Sequence, residues 1–433
     1  MVRRVLSWAA LVAFVCGSLA PARATDGCPA GYITAPTSLV TLYFSAYDDV
    51  LTGHITNEPD GTVYVSTGDI NAEWLRDSSA VAQAYVNLAR NDPDDAKTLR
   101  GIIARQAKYI LIDPYANAFN PDYTVFEEKY ELDSLMYPIW LAYLYWQRTG
   151  DTSIFDAQER SAFDKILSVM RVEQHHDQQS KYRNSNLPDG GKGSPVGYTG
   201  MVWSGFRPSD DACIYGYLIP SNMFAVVAMH YLTSILQRVY HDKPTADNAW
   251  NLSVQIRNGI EKYGKTTYAG FNSIYAYEVD GLGHTNMMDD ANVPSLLSIP
   301  YFGYQSVADG RYQRTRSFVL SSHDPYYFTG KYATGVGSPH TPHGWVWPLA
   351  LVVQALTSRS APDTQQVLGY IANSVEGDQL LHESFDPNDP TKFTRTDFAW
   401  PNALYIELIT AMRPESQVTT AGTIECFQAP VGM

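Results

Sequence analysis

The chain has 433 residues, 45% of them hydrophobic and only 18% charged, which supplies a large core and excludes disordered, fibrous and collagen-like chains. A formal charge of −14 repels phosphate backbones and excludes nucleic acid as a partner. The first 24 residues carry Arg3 and Arg4, an apolar run from Val5 to Val15 and the small-residue site Ala22-Arg23-Ala24, the pattern of a removed signal peptide. The exported form is therefore expected to be secreted or otherwise extracytoplasmic. No later stretch has the roughly 20 consecutive apolar residues of a membrane span. Without a linker or a composition change, residues 25–433 read as one domain and the protein as a monomer. Of the cysteines that remain, Cys28 and Cys426 are positioned to staple the termini, and Cys213 reads as a buried free thiol.

Helical periodicity dominates the rest of the chain. The apolar spacing predicts helices over 38–50, 78–90 and 96–112, then one from Leu132 whose Leu135, Met136, Ile139 and Trp140 share a face. Further helices are predicted over 155–175, over 222–240 with Ser221 as N-cap, and over 246–263, 294–304, 309–321, 344–357, 363–375 and 398–412. Strand signals are short, chiefly 62–66 and 274–279, with no regular strand–helix alternation. The fold class is all-α. A dozen helices in one domain can close as two concentric rings, with the long loops of one end gathered round one concave site.

Those loops carry the polar clusters. In 66–79, Asp69, Trp74, Arg76 and Asp77 combine an aromatic plate, a fork of donors and carboxylate acceptors, which is what a sugar ring requires of a site. Asp77 also has the plain reading of a helix cap, and Glu131 and Asp133, opening the Leu132 helix, share that ambiguity. Within and beside 201–213, the adjacent Asp210 and Asp211 lie among Trp203, Phe206 and Tyr215, a setting in which desolvation raises one carboxyl pKa while Arg207 keeps the other ionised. One of the pair is a candidate general acid, and Trp203 and Arg207 are expected substrate contacts. Asp290 and Asn292, in a run of three hydrogen-bonding side chains before Pro294, read as substrate-lining. His340 and His343 flank Pro342 and lack the spacing of a helical metal pair, as does His175-His176, so no metal and no cofactor are expected and His340 reads as a donor to substrate. Glu383, beside His382, is positioned to activate a water.

Taken together, Thr67-Gly68-Asp69, Trp74-Leu75-Arg76-Asp77, Trp203 through Asp211, Gly337 through Pro342 and His382-Glu383-Ser384-Phe385 resemble glycoside hydrolase family 125, in consistent order over roughly residues 40–412. The segments Tyr130 through Leu135 and Met288 through Asn292 extend the likeness. The resemblance implies an (α/α)6 barrel and a metal-independent exo-α-1,6-mannosidase that acts by inversion on a mannose-containing oligosaccharide or glycan. It also implies an acid in the Asp210-Asp211 pair, with Asp210 favoured, a base at Glu383, and sugar contacts from Arg76 and Asp77. His343-Gly344-Trp345 departs from the family pattern and bears on outer-subsite preference. An inverting α-glucosidase on the same toroid and a secreted, non-catalytic mannoside-binding protein are the alternatives.

Overall fold

The computed structural model describes residues 32–34, 37–86, 89–375, 377, 379–412, 414–419 and 422–428. Among the described residues, eleven long helices alternate between an inner and an outer ring: α1 (Thr37–Asp48), α2 (Leu75–Val86), α3 (Pro93–Ile112), α4 (Leu132–Thr149), α5 (Ala157–Glu173), α6 (Ile219–Arg238), α7 (Lys243–Tyr263), α8 (Gly310–Val319), α9 (Pro348–Leu356), α10 (Ala361–Ser374) and α11 (Ala399–Ala411). Packing of α11 on α2, α2 on α4 and α4 on α6 builds the inner ring, which α9 continues against α11. The outer helices α1, α3, α5, α7, α8 and α10 wrap it. Every residue of α9 is buried, as expected of a helix surrounded on all sides. The small sheets have two or three strands each, and all their pairings are antiparallel. The expected (α/α)6 barrel is thus the observed one.

The helix predicted over 294–304 is the exception. Pro294 and Pro300 lack the N–H that a helix needs, and the Asp289 carboxylate takes the N–H groups of Leu296 at 2.8 Å and Leu297 at 3.0 Å. What remains are short turns, such as Tyr301 N–H to Ser298 O at 2.9 Å and Gly303 N–H to Pro300 O at 3.0 Å. The segment still fills the sixth inner position. Phe302 stacks on Phe224 of α6 with ring centres 3.9 Å apart and meets Tyr137 and Trp140 of α4 edge-on, while the Tyr301 hydroxyl reaches Glu407 of α11 at 3.0 Å. Each such buried aromatic contributes about 1.5–3 kcal/mol of burial, enough to hold an inner wall that has no helix of its own.

The two rings begin differently. Outer helices start at side-chain caps: Asp92 for α3, Asp156 for α5, Asp242 for α7, Asp309 for α8 and Ser360 for α10 each accept backbone N–H bonds. The residues preceding α4, α6, α9 and α11, namely Glu131, Leu218, Trp347 and Phe398, provide no such bond. Ser221, expected as the cap of α6, lies inside its first turn and donates to Asp133 at 2.9 Å.

Tyr32–Thr34 pairs antiparallel with Gly422–Gln428, Thr34 opposite Cys426. The expected signal peptide and Cys28 lie outside the described residues, as therefore does the expected Cys28–Cys426 pairing. Cys213 is a buried free thiol.

Two loops at the inner-helix starts are zipped to each other. Asp69 N–H donates to Asp397 O at 3.1 Å and Ala399 N–H to Thr67 O at 3.2 Å. Gly68, at φ 131°, is required here because a Cβ would stand 2.3 Å from the Asp397 carbonyl oxygen. Behind the zipper, buried His54 sets Nε2 3.2 Å from both Asp49 Oδ2 and Asp397 Oδ1. Burial alone would lower its pKa, but the hydrogen bonds to Asp397 and Asp49 prevail and raise it to about 9, so His54 is an imidazolium clip at neutral pH. A raised histidine pKa contributes stability that is complete below about 6.5 and disappears as pH rises through 9. Urea unfolding should therefore find the stability advantage of the parent over His54→Gln shrinking by about 1–3 kcal/mol between pH 6 and pH 10. A difference that does not vary with pH would show that the clip is uncharged.

Candidate functional site

Each polar cluster of the sequence lies just ahead of an inner element: 66–74 before α2, 131 before α4, 203–218 before α6, 286–292 before the 294–304 turns, 337–347 before α9 and 381–398 before α11. The inner ring is consequently entered from one end, where the loops enclose a cavity of about 290 Å³. Trp74, Arg76, Asp77, Asp210, Asn292, His340 and Glu383 all line it, so residues far apart in sequence share one chamber. Trp347, Phe398 and Trp400 join Trp74 as its apolar surfaces, and Arg395, Thr67 and Ser209 add polar atoms. The inner helix starts direct their positive dipole ends toward this region, an environment suited to carboxylates.

Arg76 is the centre of the floor. Its guanidinium bonds Glu131, stands 3.3 Å from Asp77, 3.4 Å from Asp210 and 3.9 Å from Asp133, and lies over the Trp400 ring at 5.3 Å. Asn117 Nδ2 donates into the same cluster, 3.2 Å from Asp210 Oδ1 and 3.4 Å from Glu131 Oε1. Asp77 is not a cap. It sits within the first turn of α2, takes the Thr67 hydroxyl at 2.9 Å on Oδ1, and keeps Oδ2 toward Arg76 with no other partner.

The two adjacent aspartates, indistinguishable in sequence, diverge in space. Arg207 N–H to Asp211 O at 2.8 Å and Asp210 N–H to Arg207 O at 2.9 Å close a tight turn that leaves Asp210 left-handed at φ 67°. Asp210 then points inward to Arg76 and Asn117, whereas Asp211 points to the rim and binds His340 Nδ1 at 3.0 Å. Burial favours a protonated Asp210, but Arg76, a hydrogen bond with Glu131 and the nearby Lys129 and His340 outweigh it and hold Asp210 below the usual carboxyl range. The bond to Asp211 raises His340 to about 9, against the effect of burial, so the cavity contains an imidazolium at neutral pH. Across the chamber, burial pushes Glu383 up, an effect that His340, Thr394 and Arg395 partly offset.

Other residues expected at the site lie one layer behind it. Asp69 is an anchor for Arg395, which donates from Nε at 2.8 Å and from Nη2 at 2.5 Å. Asp133 is fully buried beneath Arg76, and Asp290 is equally buried, accepting from Ser209 Oγ at 2.8 Å. His382 stacks flat on Phe393 at 3.6 Å and bonds the Arg395 carbonyl through Nδ1, fixing the Glu383 loop rather than reaching the cavity. Asp211 acts on the chamber through His340.

Two expectations need correction. Trp203, expected as a substrate contact beside the twin aspartates, is 1% exposed and stacked on His176 at 3.6 Å, with Gly193, Gly205 and Gly216 packed against its ring. Arg207 turns away from the cavity to Glu278 at 2.6 Å. That carboxylate also accepts from the backbone of Ile214 and Tyr215, and so pins the aspartate turn.

Several lining residues have no local signal in the sequence. Arg395 belongs to no cluster of titratable side chains, Trp347 and Trp400 fall within apolar helix starts that read as core, and Asn117, fully buried behind the lining, is likewise isolated among uncharged neighbours. Among the described residues, Asp49, His54 and Asp397 form a group with ligand-type atoms within 4.8 Å of one another, and the His54 imidazolium already bridges its carboxylates. His343 packs edge-on against Phe328 and His175 stacks on Tyr198.

The family described as metal-independent alpha-mannosidase (GH125) matches residues 37–410. Meiotically up-regulated gene 157 protein of Schizosaccharomyces pombe is 37% identical over 402 residues, covering 84% of this chain and 79% of that protein. A solved metal-independent α-mannosidase structure from Streptococcus pneumoniae, a non-productive substrate complex with α-1,6-mannobiose, is 41% identical with a TM-score of 0.83, covering 86% of this chain and 93% of that one. The glucoamylase of Saccharomycopsis fibuligera, 11% identical with a TM-score of 0.59 over 89% of this chain and 97% of its own, shares the fold alone.

Because the His340 charge opposes the rise of Glu383, its removal should raise the Glu383 midpoint further. Carboxyl-carbon NMR titration of 13C-glutamate-labelled protein is expected to find that midpoint higher in His340→Gln than in the parent. An unmoved midpoint would mean the two groups are electrostatically independent.

Proposed function

Since the chain belongs to glycoside hydrolase family 125, the metal-independent α-mannosidases, we propose that its cavity removes a terminal α-1,6-linked mannose by direct displacement with inversion. The observation that carries this reading is the meeting of Asp210 and Glu383 in one enclosed chamber, reached from different loops. Inverting hydrolysis needs an acid beside the leaving oxygen and a base on the opposite face of the sugar, with room for a water, usually about 6.5–9.5 Å between carboxyls.

Glu383 is the general base. It takes a proton from the water whose oxygen forms the new bond to the anomeric carbon, and the elevation of its pKa by burial makes it a better acceptor. Asp210 is the general acid. Its proton goes to the glycosidic oxygen as that oxygen leaves with the bonding pair, so the released mannose is the β-anomer. Arg76 and Asp77, which line the cavity, hold hydroxyls of the terminal sugar, and Asn292 and His340 supply further polar contacts. Trp74, Trp347 and Trp400 offer apolar faces to the ring C–H groups. The buried floor of Arg76 and its carboxylates leaves no passage for a continuing chain, which restricts cleavage to the end of a glycan. The leader-like composition of residues 1–24 supports action outside the cytoplasm, on secreted or extracellular mannosides.

Glu383→Gln and Asp210→Asn are each expected to fold as the parent does and to lower α-1,6-mannobiose turnover by about 10³-fold or more. Proton NMR of the parent reaction should detect β-mannose before mutarotation, and a panel of α-linked glucobioses should remain uncut. Near-parental hydrolysis by Glu383→Gln, or first-formed α-mannose, would reject the mechanism; cleavage of the glucobioses in preference would reject the substrate.

A further inference from the structure

A general acid has to hold its proton at the working pH, yet Asp210 stands 3.4 Å from a guanidinium that favours its ionised form. The charge count around Arg76 resolves this. Four carboxyl groups, those of Asp77, Glu131, Asp133 and Asp210, surround one guanidinium, and their side chains are 7%, 0%, 0% and 20% exposed. Lys129 and the His340 imidazolium, the other cations near Asp210, are themselves paired, with Glu127 at 2.7 Å and with Asp211 at 3.0 Å. Complete ionisation would leave several uncompensated negative charges in a region shielded from water, which is prohibitively costly. At least one proton therefore stays in the cluster.

Glu131 and Asp210 are the pair built to hold it. Arg76 and Asn117 Nδ2 each reach both carboxyls, and the two carboxyls are in hydrogen-bonding contact with each other. Ser134 Oγ donates to Glu131 Oε2 at 2.7 Å, and fixes that group in place. We propose that Glu131 and Asp210 share one proton across this clamp, and that Glu131 is the positioning residue that keeps the general acid loaded. The idea rests on the assignment of Asp210 as acid made above.

Losing the shared proton would put two negative charges side by side, so the pair gives it up only at a pH above that at which a lone Asp210 beside Arg76 would. The groups facing Glu131 agree. Burial and the Asp210 and Asp133 charges drive it well above the ordinary glutamate range against the opposing pull of Arg76, while Asp210 is held low. In turnover the proton passes from Asp210 to the departing glycosidic oxygen and leaves the pair doubly ionised. Glu383 meanwhile releases the proton it took from water. Asp210, partly exposed at the cavity, then recovers one proton from solvent, so the cycle balances.

Replacing Glu131 with glutamine removes the second charge and leaves Asp210 to titrate alone beside Arg76. The alkaline limb of kcat/KM for α-1,6-mannobiose should then move to lower pH by about 1–2 units. At pH 7 the rate on mannobiose should fall about 10–100-fold further than the rate on 2,4-dinitrophenyl α-mannoside, whose leaving group departs without a proton. Glu131→Asp, which keeps the carboxyl, should restore most of the limb. An unshifted limb in Glu131→Gln overturns the proposal, as do equal losses on the two substrates. If Asp210→Asn still cleaves mannobiose, the acid assignment fails and the shared proton with it. If Asp210→Asn is inactive while Glu131→Gln retains the parental limb, only the sharing fails.

Discussion

One buried guanidinium organises the catalytic end of this barrel. Arg76 is 3% exposed, and it gathers carboxyls from the start of α2, the start of α4 and the aspartate turn before α6 onto one point. Breaking a buried ion pair typically costs about 3–5 kcal/mol, because the abandoned charge has no water to turn to. Here the abandoned charges would be several and of one sign. The geometry of the acid, the floor of the sugar pocket and the mutual position of three inner elements therefore depend on a single side chain. Trp400 beneath it ties the same point to α11, so the ring is closed both electrostatically and by packing.

The six-fold plan explains how a site of this precision arises from loops. Each polar cluster leads directly into an inner element, so the element fixes the height and direction at which its side chains enter the chamber. Local backbone does the rest. Asp210 and Arg395 both adopt left-handed conformations, at φ 67° and 55°, and both direct a charged group where an extended residue could not. The structure around them is dense enough to hold these conformations: Glu278 pins the aspartate turn through Arg207, and Asp69 pins Arg395.

Much of the architecture was legible because helical stripes are a local signal, and the clusters stood out because polar residues were concentrated between them. The inner segment over 294–304 misleads because its apolar content reads as helix, whereas two prolines and the Asp289 carboxylate just upstream dictate turns. Trp203 and Arg207 were misread for a related reason. Their residue types suit a sugar site, but the partners that claim them, His176 and Glu278, are distant in sequence. Glu131 illustrates the reverse case. An acid opening a helix has an ordinary explanation, and only the arrival of Arg76, Asn117 and Asp210 from elsewhere gives it another. Burial and tertiary proximity are what a single sequence conceals.

The contrast between capped outer helices and uncapped inner ones separates two engineering problems. Caps at Asp92, Asp156, Asp242, Asp309 and Ser360 belong to the solvent-side shell, away from the reacting sugar. Thermostability can therefore be adjusted on that shell, by better caps or surface pairs, with little trade-off in catalytic efficiency. The inner starts offer no such latitude, since a serine or aspartate introduced there would crowd the very groups that receive the substrate.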